Sequence, residues 1–336
     1  MGMKTTQREI ASSAAKQIAS SGSIICAVVA IFLSLALLSG NTAEPASDQE
    51  SKSAEELAKE TQNPVANLIS VPFQNNFNFG IGPNDATQWV LNVQPVIPIS
   101  LNKDWNLITR TIMPIINQPS PASGIPSAFG LGDINPTVFL SPANSGKLIW
   151  GLGPTMTFPT ASASVLGNGK WEAGPAVVVL TTPGHWVIGA LANNQWSYAG
   201  WGKSNVDALL IQPFTNYNFP DGWYVTSSPI ITANWLAASN NRWTLPIGGG
   251  VGKIVKFGKL PVNFQLQAFD NVVTPQQGGA DWQLVFRSSF FSRDERRADR
   301  SKFILRVETL TVFQRTHPTY YENLPHPYCR LAGRDP

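Results

Sequence analysis

The stretch Asn67-Leu-Ile-Ser-Val-Pro-Phe-Gln-Asn-Asn-Phe-Asn-Phe-Gly80 decides the fold. Val71, Phe73, Phe77 and Phe79 share one parity, and Ser70, Gln74, Asn76 and Asn78 share the other. A period of two places the first set on one face of a strand and the second on the opposite face, which a helix of 3.6 residues per turn cannot do. Working outward, Trp89, Leu91, Val93, Ile97 and Ile99 alternate with Gln88, Asn92 and Gln94. Leu209, Ile211, Pro213 and Tyr217 stand opposite Gln212, Asn216 and Asn218. Val262, Phe264 and Leu266 face away from Asn263, Gln265 and Gln267, and Trp282, Leu284 and Phe286 from Gln283 and Arg287. About twelve such segments follow one another, which predicts an all-β, antiparallel chain.

The connections fall into two alternating classes. Short turns rich in Pro, Gly, Asp and Asn occur at 102–105, 141–147, 183–186, 220–223 and 257–261, and longer polar connections at 80–87, 118–129, 161–169, 198–205, 237–241 and 273–280. Trp105, Trp186 and Trp223 each close a short turn, so one end of the sheet carries an aromatic belt. Residues 64–293 hold 11 Lys or Arg and 8 Asp or Glu. That is far below the roughly 25% charged content of an ordinary soluble domain. A secreted sandwich or lipocalin-like barrel would carry Lys, Glu and Arg on its outward faces, whereas here one face is amide and hydroxyl and the other is Trp, Phe, Leu, Ile and Val. An apolar face suited to lipid, short turns at one end, longer loops at the other and an aromatic girdle describe an antiparallel transmembrane β-barrel of about twelve strands.

The flanks fit that expectation. Lys4, Arg8 and Lys16 precede an apolar run at 24–38 and the small residue Ala43, so residues 1–43 read as a secretory signal; the run is short of the roughly 20 residues of a spanning helix, and an uncleaved anchor is the alternative. Residues 44–63 turn acidic and polar, with some helical character over 53–60, and read as a linker or a loose helical leader outside the main fold. Residues 64–293 form the expected barrel, and residues 294–336 a charged tail.

Several chemistries find little footing. The net charge of +3 is too mild and too dispersed for nucleic acid. Cys26 and Cys329 lie near opposite ends, which leaves no metal knuckle or redox pair, and no metal or cofactor is expected. Of three histidines, His185 lies in a turn while His317 and His326 lie in the tail, so no His sits mid-strand beside a nucleophile, and the expectation is a non-enzyme. Gly248, Gly249, Gly250, Gly252 and Lys253 lack the Walker pattern and its helix; glycines in a barrel strand more often relieve curvature or leave room in the lumen.

The segment 67–80, together with Gly130-Leu-Gly-Asp-Ile-Asn-Pro136, the block from Pro183-Gly-His-Trp186 to Gln195-Trp196, Leu210-Ile-Gln-Pro-Phe214, Tyr217-Asn-Phe-Pro-Asp-Gly-Trp223 and Gly248-Gly-Gly-Val-Gly-Lys253, resembles a family of Gram-negative outer-membrane barrel transporters. That family is related to the barrels of the phenol meta-pathway, and some members bear the label neuromedin U. The resemblance covers nearly all of residues 64–291. It implies residence in the outer membrane, contact with its lipid and the barrel-assembly machinery, and passive uptake of small molecules, apolar or aromatic ones among them; it supplies no catalytic residues. The alternative is a structural or adhesive barrel without transport. The tail departs from the family pattern, in which an aromatic residue of the last strand stands near the C-terminus, and reads as a frameshift product or a periplasmic extension.

The expected functional surface is the inward face. Gln94, Asn135, Gln212, Asn216, Gln265 and Gln267 share the polar parity and would line a wet lumen without fixed charge. Arg110, Asp133, Glu172 and Arg287 share it too, and the expectation is that these four form an ion cluster inside the barrel or else line a pore.

Overall fold

Strands alternate with turns through the whole described chain, after one helix. The computed structural model describes residues 48–82, 84–121, 124–258, 260–275 and 278–292, with side chains from residue 55 onward. The expected signal peptide, the first residues of the leader and the tail lie outside the described residues. Helix α1 (Asp48–Gln62) leads into β1 (Ile69–Ile81), β2 (Ala86–Val93), β3 (Val96–Ser100), β4 (Trp105–Gln118), β5 (Ala128–Leu131), β6 (Asn135–Pro142), β7 (Leu148–Thr157) and β8 (Lys170–Thr181). Then come β9 (Trp186–Gly200), β10 (Asp207–Asn218), β11 (Trp223–Ser227), β12 (Ile231–Asn234), β13 (Trp243–Phe257), β14 (Leu260–Val273) and β15 (Trp282–Ser292).

The fifteen strands make twelve staves. β2 and β3 both lie between β1 and β4, β5 and β6 both pair with β4, and β11 and β12 both lie between β10 and β13. Pro95 and Pro229 stand at two of the three interruptions, where a residue without an N–H cannot continue the ladder. Every neighbouring pair is antiparallel, and β15 returns to β1 in a register running from Ile69 opposite Ser292 to Phe79 opposite Trp282, which closes the barrel. The connections β3–β4, β6–β7, β8–β9, β10–β11 and β13–β14 fall at one end with the start of β1, and the longer loops at the other. In the β10–β11 turn Asp221 and Gly222 both have positive φ, 61° and 75°, the backbone a tight hairpin demands.

The expected parity holds across the wall. Leu148, Leu152, Ile188 and Ile247 are exposed on the outside, as are Ile97 and Val177. So continuous an apolar exterior is foreign to a soluble monomer and matches a band that faces hydrocarbon. Trp105 packs edge-on to Trp150 at 6.0 Å, Trp186 against Tyr217 at 4.8 Å, and Trp223 under the Lys253 ammonium at 4.7 Å, all toward the short-turn end. A second girdle, beyond the sequence reading, rings the loop end: Phe79 stacks on Trp282 at 3.9 Å, Phe158 meets Trp171 at 5.3 Å and Trp235 meets Trp243 at 5.5 Å.

Two expectations need correction. The inner face is not uniformly polar: Ile108, Phe139, Val178, Leu180, Val187, Leu191 and Phe214 form a buried apolar cluster inside the barrel, and Val65 packs on it. On β8 the outward Val177 and Val179 alternate with inward Val178 and Leu180, so this stave is apolar on both faces. Nor does the leader stand wholly outside the fold. Ala58, 1% exposed, packs with Leu57 against Tyr224 and Ile254, which share the inward parity of β11 and β13. Gln62 and Asn218 exchange amide hydrogen bonds of 2.8 and 3.2 Å, and Glu55 meets His185 of the β8–β9 turn at 3.1 Å. The helix ends before Pro64, where Asn63 Oδ1 accepts the Val65 N–H at 2.9 Å and turns the chain toward β1. Among the described side chains of the leader, the apolar Leu57 and Ala58 are ones that dock.

Candidate functional site: the barrel lumen

Three cavities with shared walls occupy the barrel. The one nearest the loops, about 580 Å³, is lined by Asn76, Asn78, Gln88, Asn92 and Gln283 with loop residues Pro121 and Gly279. Gln74, Gln88, Asn92 and Gln118 also line the middle cavity, about 600 Å³, to which Asn135, Asn193 and Gln195 add further amides. Gln94, Arg110, Leu191 and Gln212 are common to the middle cavity and a lower one of about 140 Å³, which residues 60–64 bound at the short-turn end. The space thus narrows below the level of Arg110, where the end of α1 borders it.

The amides are held in ladders. Gln74 Nε2 donates to Asn76 Oδ1 at 2.8 Å, Asn78 Nδ2 to Gln88 Oε1 at 2.7 Å, and Gln88 to Gln118 in turn. Asn135 Nδ2 donates to the Met156 carbonyl at 2.7 Å and to Thr157 Oγ1 at 3.0 Å. Side chains that both donate and accept can satisfy one another along a wall and still exchange bonds with water.

The four charged residues divide into two groups rather than forming one cluster. Asp133 accepts the Ala161 N–H at 3.0 Å and the Asn168 N–H at 2.7 Å, and Glu172 accepts from Asn168 Nδ2 at 2.9 Å. Both carboxylates therefore anchor the β7–β8 loop, whose Val165 and Leu166 reach the middle cavity. Arg110 donates to Gln94 Oε1 at 2.8 Å, and Arg287 donates to Gln74 Oε1 through Nε at 3.0 Å and through its terminal nitrogen. Neither guanidinium has an ion-pair partner among the described residues. Attraction between opposite charges does not gather the four because the carboxylates sit under the loop while the arginines sit lower, among amides.

The remaining expected residues fall as follows. Asn216 and Gln265 line the lower cavity. Gln265 Nε2 donates to Thr226 Oγ1 at 3.1 Å, and its Oε1 is buried without a partner. Gln267 lines none of the three spaces. Its Oε1 accepts the Ser228 N–H at 3.0 Å and its Nε2 donates to Ser228 Oγ at 2.9 Å, at the stave interruption beside Pro229, where the ladder leaves that N–H open. Trp105, Trp186 and Trp223 belong to the outer girdle.

Tyr224 is a lumen residue that the sequence reading missed. It is buried inside the barrel, donates to Asn263 Oδ1 at 2.7 Å, and lies against Gly252, where a Cβ would come within 2.1 Å of its ring. Gly252 of β13 thus leaves room for an interior ring, while Gly248, Gly249 and Gly250 lie against the backbone of neighbouring strands. The signal was available, since the residue after an outward Trp223 must point inward.

Closed antiparallel staves, an apolar exterior between two aromatic girdles and an amide-lined interior define a membrane-spanning β-barrel of the outer-membrane type. Among solved structures, an outer-membrane channel from Pseudomonas putida F1 matches at a TM-score of 0.50 and 17% identity, covering 67% of this chain and 94% of that one. The porin NanC matches at 0.44 and 8% identity, covering 66% and 98%, and the monoaromatic hydrocarbon channel CymD at 0.40 and 10%, covering 71% and 92%. No protein-family model and no curated protein sequence matches the chain.

Proposed function

We propose that this chain is an outer-membrane channel for passive uptake of small molecules, apolar or aromatic ones among them, in a Gram-negative bacterium, and a member of the transporter family its sequence resembles. The observation that carries the proposal is the run of cavities with shared, amide-lined walls from the loop end to the base of the barrel. A barrel with a purely structural role would fill that space with packed side chains, as small barrels do. In this reading the short-turn end and both ends of the barrel chain face the periplasm, the loops face outward, and the girdles contact lipid. The fold alone does not separate transport from other barrel functions, so the lumen has to. His185, in a turn and engaged by Glu55, lines none of the three cavities.

The deciding experiment is single-channel recording in planar bilayers, with the full chain and a variant lacking residues 294–336 in parallel. Discrete conductance steps in both are expected. Silence from barrels that are folded by heat-modifiable gel mobility would overturn the channel reading and favour a structural or adhesive barrel.

A further inference from the structure

Arg110 and Arg287 are placed by four adjacent staves. Arg287 of β15 stands opposite Gln74 of β1, and Arg110 of β4 stands opposite Val96 of β3, next to the Gln94 that accepts its hydrogen bond. An Arg-Gln-Gln-Arg row thus crosses the wall, with each cation held by a neutral amide oxygen. A guanidinium has five N–H donors, and these bonds use two on Arg287 and one on Arg110. Both side chains line the lower cavity, as do the apolar Val96, Leu191 and Phe214. The carboxylates nearby are otherwise disposed: Asp133 and Glu172 bind the loop above, and Glu60 of α1 bounds the cavity from the helix side.

Two like charges without an ion-pair contact among the described residues, in a narrow and partly apolar space, are costly unless an anion completes them, and guanidinium forks match the two oxygens of a carboxylate. We propose that Arg110 and Arg287 form a carboxylate-binding site at the base of the lumen, which takes a monocarboxylate whose compact apolar body lies against Leu191 and Phe214. As a statement about the permeant, this rests on the channel reading; as a binding site, it is tested without it. The amide-lined cavities above let the carboxylate stay hydrated until it reaches the arginines.

The test uses the full chain in detergent micelles with benzoate as the probe, benzamide as its neutral counterpart and acetate as the carboxylate without the body. Thermal unfolding followed by gel mobility reports binding. Benzoate is expected to raise the midpoint in a saturable way and benzamide to leave it unchanged. Acetate should need at least tenfold higher concentration. Arg110→Gln and Arg287→Gln should each weaken the benzoate response at least tenfold, and Arg110→Lys less. Equal responses to benzoate and benzamide, equal responses to benzoate and acetate, or Gln variants that respond as the parent does would each overturn the site. Should the variants fail to fold, the three-ligand comparison on the parent chain decides alone. Benzoate binding without bilayer conductance would retain the site and discard the channel, and conductance without benzoate preference the reverse.

Discussion

Docking of α1 at the base of the barrel can be weighed from its contacts. The reciprocal Gln62–Asn218 amide pair supplies two hydrogen bonds, each worth roughly 1 kcal/mol net. The buried Ala58 methyl adds about 0.8 kcal/mol. The Glu55–His185 contact joins a largely exposed imidazole and adds little. The docked state is then favoured by about 3 kcal/mol, on the order of 150-fold, with the helix released about 1% of the time. Gln62→Ala removes both hydrogen bonds while leaving Asn218 its bond to the His185 carbonyl at 3.1 Å. The remaining preference, about 1 kcal/mol, corresponds to release roughly 15% of the time. Because residues 60–63 bound the lower cavity, release should appear in single-channel records as a higher conductance level. Its occupancy should rise about fifteenfold in Gln62→Ala, and further in Ala58→Glu, which sets a carboxylate against Tyr224 and Ile254. The reasoning is refuted if that level keeps the same occupancy in both variants and is also absent from a chain lacking residues 44–62.

Other consequences are equally direct. Gly252→Ala should destabilise the barrel by about 1–3 kcal/mol in urea unfolding, because the new Cβ meets the Tyr224 ring, and the second change Tyr224→Leu should recover most of the loss. Phe139→Ala, at 1% exposure within the interior cluster, should cost about 3–5 kcal/mol in the same assay. Asp133→Ala removes that carboxylate's two hydrogen bonds to the β7–β8 loop, leaving the one to Glu172, and should speed tryptic cleavage at Lys170 severalfold while the rest of the barrel stays resistant.

The barrel could be read from sequence because lipid outside and amides inside leave an undiluted period of two, as in β1 and β14. That signal fails on β8, where the inner wall is itself apolar and Ala176 to Leu180 shows no alternation; only its neighbours and length mark it as a stave. Pairing β15 with β1 closes the whole, a contact across more than two hundred residues that no local pattern encodes. Among the site residues, parity assigns Arg110, Glu172, Gln212 and Arg287 to the inward face. It could not tell that the acids would be taken up by backbone N–H groups of a loop and the arginines by amides, since that depends on height along the stave as well as on face. The docking of the helix at the base was not legible for a similar reason: Leu57 and Ala58 are two apolar residues in a segment of mostly polar composition.

The seam between the first and last staves governs how this molecule can be made. Until Trp282–Ser292 lies along Ile69–Phe79, both strands present open rows of N–H and C=O groups, and hydrocarbon offers those groups no partner. An intermediate with eleven staves therefore cannot rest in the membrane, and insertion and closure have to be completed as one event, with the chain kept from aggregating until its final strand has been delivered. Damage within β15 should accordingly abolish the protein altogether, not yield a weakened version of it, whereas damage to a loop of the same length should leave an inserted barrel.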